Sequence, residues 1–235
     1  MIIFANGGDM KNEFDEAFDK FKDFLIPNMT LLYIPIAAEN DDYNDKYSEF
    51  IKHLGETEYG IIDMLTDASE LKDRNIRDYS AIIIDDGNPF KLINELRQSG
   101  AFDIILKAVK NNTPLFAIGA GAVILGKHIE QSEINHSTDF GDTDVEGFNL
   151  FDGRDIFVYS EGYTDEKYAD ESGKLLYAAK EKDRRIIALH RQTTIYKINS
   201  GLYKLNKDVS FDSVTPEGIS RYPYYGKIKY ELDFK

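Results

Sequence analysis

The chain has 235 residues, long enough to bury a full core, and its 42% hydrophobic and 30% charged residues are the balance of a globular domain. A formal charge of −14 argues against nucleic-acid binding, which needs clustered Lys and Arg, and the absence of cysteine excludes disulfides, zinc–thiolate sites and a cysteine nucleophile. No apolar run approaches the roughly 18 residues of a membrane helix, and Met1–Asp9 reads as a strand ending in a glycine turn rather than a signal peptide, so a cytoplasmic protein is expected.

Taken in order, Met1–Asn6 reads as a strand. Asn12–Ile26 reads as a helix, because Phe14, Phe18, Phe21, Phe24 and Leu25 recur at helical spacing. Met29–Ala37 is a buried strand broken at Pro35, Asp42–Leu54 a helix, Tyr59–Leu65 a strand and Ser69–Asp73 a short helical turn. Ala81–Asp85, three isoleucines bounded by acids, suits a central parallel strand. Pro89–Gln98 and Ala101–Asn111 follow as helices, then strand Leu115–Ile118 and helix Ala120–Leu125. Such alternation implies right-handed βαβ units around a parallel sheet, with ligands at the carboxyl ends of its strands.

The pattern changes after about residue 130. His136–Glu146 reads as an exposed acidic loop, and the mixed run Lys180–Arg185 as a solvated surface. Alternating segments at Ile156–Tyr159, Arg185–Leu189, Thr193–Ile198, Leu202–Leu205 and Lys227–Leu232, with a turn signal at Asn199-Ser200-Gly201, suggest antiparallel strands extending or flanking the main sheet. The tyrosines of Tyr222-Pro223-Tyr224-Tyr225 and Tyr230 suit packing of the tail or a homodimer contact. A single α/β domain over 1–235 is expected.

Two junctions bear on chemistry. Thr113–Gly126 runs from an apolar strand through Gly119-Ala120-Gly121-Ala122 into a helix, the form of a nucleophile elbow, but its nucleophile position is Gly119, which has no side chain. Asp85-Asp86-Gly87-Asn88-Pro89-Phe90 joins a strand to a helix, and its N–H groups suit an oxyanion or a carboxylate. On spacing alone the glycines equally serve close strand–helix packing, and Asn88 equally serves as a helix cap.

Together the two segments, from Ile83 to Gly126, resemble the serine peptidase family of aspartyl dipeptidases (dipeptidase E) and cyanophycinases, with its Gly-Gly-Asn-Thr-Phe and Gly-x-Ser-Ala-Gly-Ala motifs. Leu31–Ala38 is similar to the family's second strand, and the likeness spans about residues 1–205, leaving 206–235 as an extension. The resemblance implies a three-layer α/β/α sandwich with a mostly parallel sheet, of the class I glutamine amidotransferase-like (flavodoxin-like) kind with antiparallel C-terminal strands. For active members it implies hydrolysis of dipeptides with an N-terminal Asp. Asp86 stands for the first Gly of the oxyanion motif, Pro89 for its Thr, Ala117 for the elbow's leading Gly, and Gly119 for the serine. Val158–Tyr163, the counterpart of the turn that carries the family's histidine, has none, and Glu133 is the carboxylate nearest the family's acid.

Two functions are consistent with these departures. One is an inactive homologue binding a small acidic peptide or metabolite through Gly87, Asn88, Gly119, Ala120 and Glu161. The other is a serine-type hydrolase with a rearranged set, for which Ser160 beside Glu161, His128 and His136 are the candidates. No cofactor or metal is expected; Asp139–Asp144 alternates oxygens but lacks the Glu and spacing of a calcium loop.

Overall fold

The computed structural model describes residues 1–8, 12–54, 61–140, 145–162, 164–205, 209–223 and 226–228. Asp9, Tyr59, Gly60, Tyr163, Tyr224, Tyr225, Tyr230, the 141–144 part of the acidic loop and the end of the last expected strand lie outside them.

The first half alternates as its periodicity requires. The elements are β1 (Ile2–Asn6), α1 (Asn12–Lys22), β2 (Thr30–Ile34), α2 (Tyr43–Leu54), β3 (Ile62–Met64), β4 (Tyr79–Ile84), α3 (Pro89–Ser99), α4 (Ala101–Lys110), β5 (Leu115–Ile118) and the four-residue turn α5 (Ala120–Val123). Between β3 and β4, Ala68–Asp73 forms a 3-10 segment. Strands β1, β5, β4, β2 and β3 lie parallel in that order.

Alternating side chains of this sheet feed two cores. Phe4, Tyr33, Ile83 and Phe116 meet Phe14, Phe18 and Phe21 of α1 and Phe50 of α2. Ile3, Ile34, Ile84 and Ala117 meet Phe90 and Ile93 of α3 and Ile105 of α4. Because successive strand residues face opposite sides, both faces must be covered, and three layers result.

The strands of the second half both extend the main sheet and flank it, and most of them pair antiparallel. β8 (Thr194–Ile198), β9 (Gly201–Lys204) and β12 (Gly226–Ile228) extend the main sheet antiparallel from the edge of β1. β6 (Asp155–Val158), β7 (Ile186–Leu189), β10 (Phe211–Thr215) and β11 (Gly218–Tyr222) form a separate four-stranded sheet, in which β6 and β7 are parallel. Tyr222 is part of this sheet and stacks on Phe211 at 5.1 Å.

Three features depart from the sequence reading: β6 and β7 pair parallel where antiparallel strands were expected, β10 and β11 were not among the expected segments, and α6 (Asp165–Lys182) absorbs the start of the run read as solvated surface. Thr164 caps it by accepting from the Lys167 N–H, and Asp183 ends it in the left-handed conformation at φ +49°. Leu175 and Ala179 seat it on the second sheet beside Phe157, Ala188 and Val214. Among the described residues no helix is long and apolar enough to cross a membrane.

Candidate active site

The carboxyl ends of β4, β5, β6 and β7 open onto one cavity of about 120 Å³. Its lining includes Asp86, Gly119, Ala120, Asn135, His136, Ser160, Glu161 and Arg191. The two motif segments therefore converge, as the parallel-sheet rule requires.

The elbow is present in its backbone. Gly119 has φ +49° and ψ −111°, a conformation L side chains rarely adopt. Its N–H donates to the Asn6 carbonyl and its own carbonyl starts α5 by accepting from Val123. Small neighbours are required: a Cβ on Gly121 would lie 2.5 Å from the Ile84 carbonyl oxygen.

The space a nucleophile would occupy is filled by Asp86. A Cβ built on Gly119 would lie 1.8 Å from Asp86 Oδ1 and 2.0 Å from its Cγ. Asp86 Oδ1 accepts from the Gly87 and Ala120 N–H groups, both at 2.8 Å. These are the donors the two segments would offer an oxyanion. Asp86 Oδ2 accepts from Arg191 Nη2 at 2.9 Å, and the same nitrogen donates to the Gly8 carbonyl at 3.0 Å. One carboxylate thus ties together the loops after β1, β4, β5 and β7.

Other expected site residues are placed differently. Asn88 is fully buried and does not line the cavity, and neither does Gly87. Asn88 Oδ1 caps α3 by accepting from the Phe90 and Lys91 N–H groups, while Nδ2 donates to Glu39 and to the Ser137 carbonyl. The cap reading is the correct one there, because both ends of the amide are engaged. Ser160 is partnered by Glu171 rather than Glu161: its Oγ and N–H both donate to the buried Glu171 carboxylate. Glu161 is exposed at the cavity rim, and Glu133 lies outside the cavity. His128 is at the opposite end of β6, 3.1 Å from Asp155.

His136 lines the cavity. Burial pushes its imidazole below the ordinary range, against the opposing pull of Asp86, Glu39 and Glu171. Behind the cavity, Asp212 is fully buried and accepts from Tyr159 Oη at 3.0 Å, Tyr168 Oη at 2.9 Å and Arg221 Nε at 3.2 Å. His190 stacks on Tyr159 at 4.8 Å and approaches the same carboxylate at 3.6 Å. Burial alone would raise the Asp212 carboxyl, but the nearby His190 imidazole and the hydrogen bonds of Tyr168 and Arg221 hold it below its usual value.

The family model of peptidase family S51 matches residues 1–204. The chain belongs to peptidase family S51. Among solved structures, a peptidase E protein from Listeria monocytogenes EGD-e is similar at a TM-score of 0.67 and 19% identity, over 87% of this chain and 98% of that one. A peptidase from an acI-B1 Actinobacterium is similar at a TM-score of 0.72 and 15% identity, over 97% and 96% of the two chains. No curated protein matches. These likenesses confirm the three-layer fold expected from the motifs.

Sequence reasoning overlooked Arg191 and Glu171, and it treated Asp86 only as a missing glycine. The signal for Asp86 was present, since one motif gains a side chain where the other loses one.

Proposed function

We propose that this S51 member is non-hydrolytic and uses the cleft beside Gly119 to bind a small molecule. The reading rests on one observation: the Asp86 carboxylate occupies both the nucleophile position and the two N–H donors. A covalent hydrolase needs a nucleophile at the elbow and those donors open to the developing oxyanion. Here neither condition is met at the elbow.

A second reading, a hydrolase with a relocated set, draws on the presence of Ser160 and His136 in the same cavity. Ser160 Oγ, however, donates its proton to Glu171, and a carboxylate is a weak base for a serine hydroxyl.

One assay decides between them. Purified protein is incubated with Asp-containing dipeptides and with p-nitrophenyl acetate, beside Ser160→Ala and His136→Ala variants. The expected result is no turnover above buffer for any of the three. Turnover that disappears in either variant overturns the non-hydrolytic reading.

A further inference from the structure

A second pocket, of about 150 Å³, lies at the amino end of β7, whereas the cleft opens at its carboxyl end. Its two walls are the 3-10 segment Glu130–Ile134 and α6. Ile134, Ala178 and Ile186 give it an apolar lining.

Most of the charge around this pocket is already committed. Lys182 Nζ and Arg184 Nη2 both close on the Glu130 carboxylate, and Arg184 Nη1 faces the buried Asp155 carboxylate at 3.6 Å. Burial works to raise the Glu130 carboxyl, but the Lys182 hydrogen bond and the field of Arg184 hold it below its ordinary value. It stays ionised between its two cations. Two other charges are not held in this way. Lys174, on the α6 wall, pairs with Asp170 one turn earlier, and the two side chains are 54% and 59% exposed. Such a pair is worth little and yields to a better partner. Glu133, on the 3-10 wall, is exposed and meets no hydrogen-bond or ion-pair partner among the described residues. No ion pair joins Glu133 to Lys174, so more than 4.0 Å separates the two charges across the pocket.

We propose that this pocket binds a small aliphatic amino acid as its zwitterion, the carboxylate accepting from Lys174, the ammonium donating to Glu133 and the side chain lying on Ile134, Ala178 and Ile186. A cation alone would meet Glu133 but stand against Lys174. An anion alone would meet Lys174 but stand against Glu133. A molecule carrying both charges one carbon apart answers both, each end reaching its partner through a charge-assisted hydrogen bond of about 2.8 Å. Turning to Lys182 and Arg184 instead would require an anion to displace Glu130 from both. The volume equals about five waters of liquid, which suits a short aliphatic side chain. The pocket shares no lining residue with the cleft beside Gly119, so it can be filled whether or not the cleft hydrolyses.

The test is an amide NMR titration of the full chain at pH 7 and constant ionic strength with valine, isovalerate and isobutylammonium. The last two are valine without its ammonium and without its carboxylate. Valine is expected to shift the Ile134, Ala178 and Ile186 amides saturably, and each single-charge analogue to bind about fivefold more weakly. Glu133→Gln should weaken valine about threefold and leave isovalerate no weaker, whereas Lys174→Gln should weaken valine about threefold and leave isobutylammonium no weaker. Both substitutions are at exposed positions, and the melting temperature of each unliganded variant should equal that of the native chain. The proposal is overturned if valine gives no saturable shift, if either analogue binds as tightly as valine, or if the valine Kd is unchanged in either variant. Shifts confined to Gly87 and Ala120 would place valine in the cleft and overturn it as well.

Discussion

Asp86 and Gly119 fill one volume: the carboxylate of the first lies where the side chain of the second would begin, 1.8 Å from a Cβ built there. Their substitutions must therefore be coupled. Gly119→Ala alone forces a side chain into a backbone at φ +49° and displaces a carboxylate that holds two N–H groups. Strain of about 1–3 kcal/mol and a lost charge-assisted hydrogen bond of about 1.5–3 kcal/mol add to an expected loss of about 3–5 kcal/mol. In an Asp86→Gly background only the strain remains. Urea denaturation of the four proteins should give a coupling of about 2 kcal/mol. Strictly additive losses would show that the two positions do not share this space.

The Arg191–Asp86 pair offers a separate cycle. The side chains are 25% and 15% exposed, so screening is incomplete and removing the cation leaves a carboxylate with little water. Arg191→Met is expected to lower stability by about 1–3 kcal/mol. In an Asp86→Asn background the same change should cost under about 1 kcal/mol, because no charge is left unpaired. Thermal melting of the four proteins measures the difference, and equal losses in both backgrounds would argue against the pair.

The parallel half of the fold was legible because each strand there is an uninterrupted apolar run and each helix carries one apolar face. Ala81–Ile84 and Leu115–Ile118 are buried on both sides, and Phe14, Phe18 and Phe21 could face only one way. α6 was not legible: among its described residues only Glu171, Ser172, Leu175 and Ala179 are buried, too few and too polar to give a clear period. Pairing partners were also beyond the sequence. Nothing local distinguishes β8, which joins the edge of β1, from β7, which joins β6 in another sheet. At the site, the elbow was readable from Gly119-Ala120-Gly121, since small residues are a steric demand of the turn. That Asp86 fills it depends on two loops meeting 33 residues apart in the chain, from position 86 to 119, which no spacing rule encodes.

Asp85, next to the filler, predicts a pH dependence. It is fully buried and accepts from Tyr33 Oη and the Asp86 N–H. Burial pushes its carboxyl up to about 6, with the field of Lys46 and the hydrogen bond from Tyr33 working against the rise. The native state therefore holds this proton more tightly than the unfolded chain, where the ordinary value is 3.8. Its contribution to stability is fully present below pH 3.8 and is lost as pH rises through about 6. Two pKa units correspond to about 3 kcal/mol. The stability of the native chain minus that of Asp85→Asn should fall by about this amount between pH 4 and pH 7 in denaturant titrations. A difference that is flat or rises over the window would refute the assignment.

The cluster behind the cavity predicts a contrast between two partners. Asp212 is fully buried and receives Tyr159, Tyr168 and Arg221, whereas the Arg221 side chain is 48% exposed. Asp212→Ala strips two tyrosine hydroxyls of their acceptor and leaves a gap beneath Tyr159, which lines the cavity. A loss of about 3 kcal/mol or more is expected, in the range for breaking a buried charged network. Arg221→Met leaves Asp212 its tyrosine donors and gives the guanidinium's place to water and a thioether. Its expected loss is about 1 kcal/mol. Because Asp212 titrates below its usual value in the native state, its stabilising contribution is present above pH 3.8 and is lost as pH falls further. Amide hydrogen exchange should localise the Asp212→Ala effect to β6, β7 and β10, with β2 and β4 protected as in the unaltered chain. Equal losses for the two variants, or exchange that rises evenly through both sheets, would mean that Asp212 does not organise this wall of the cavity.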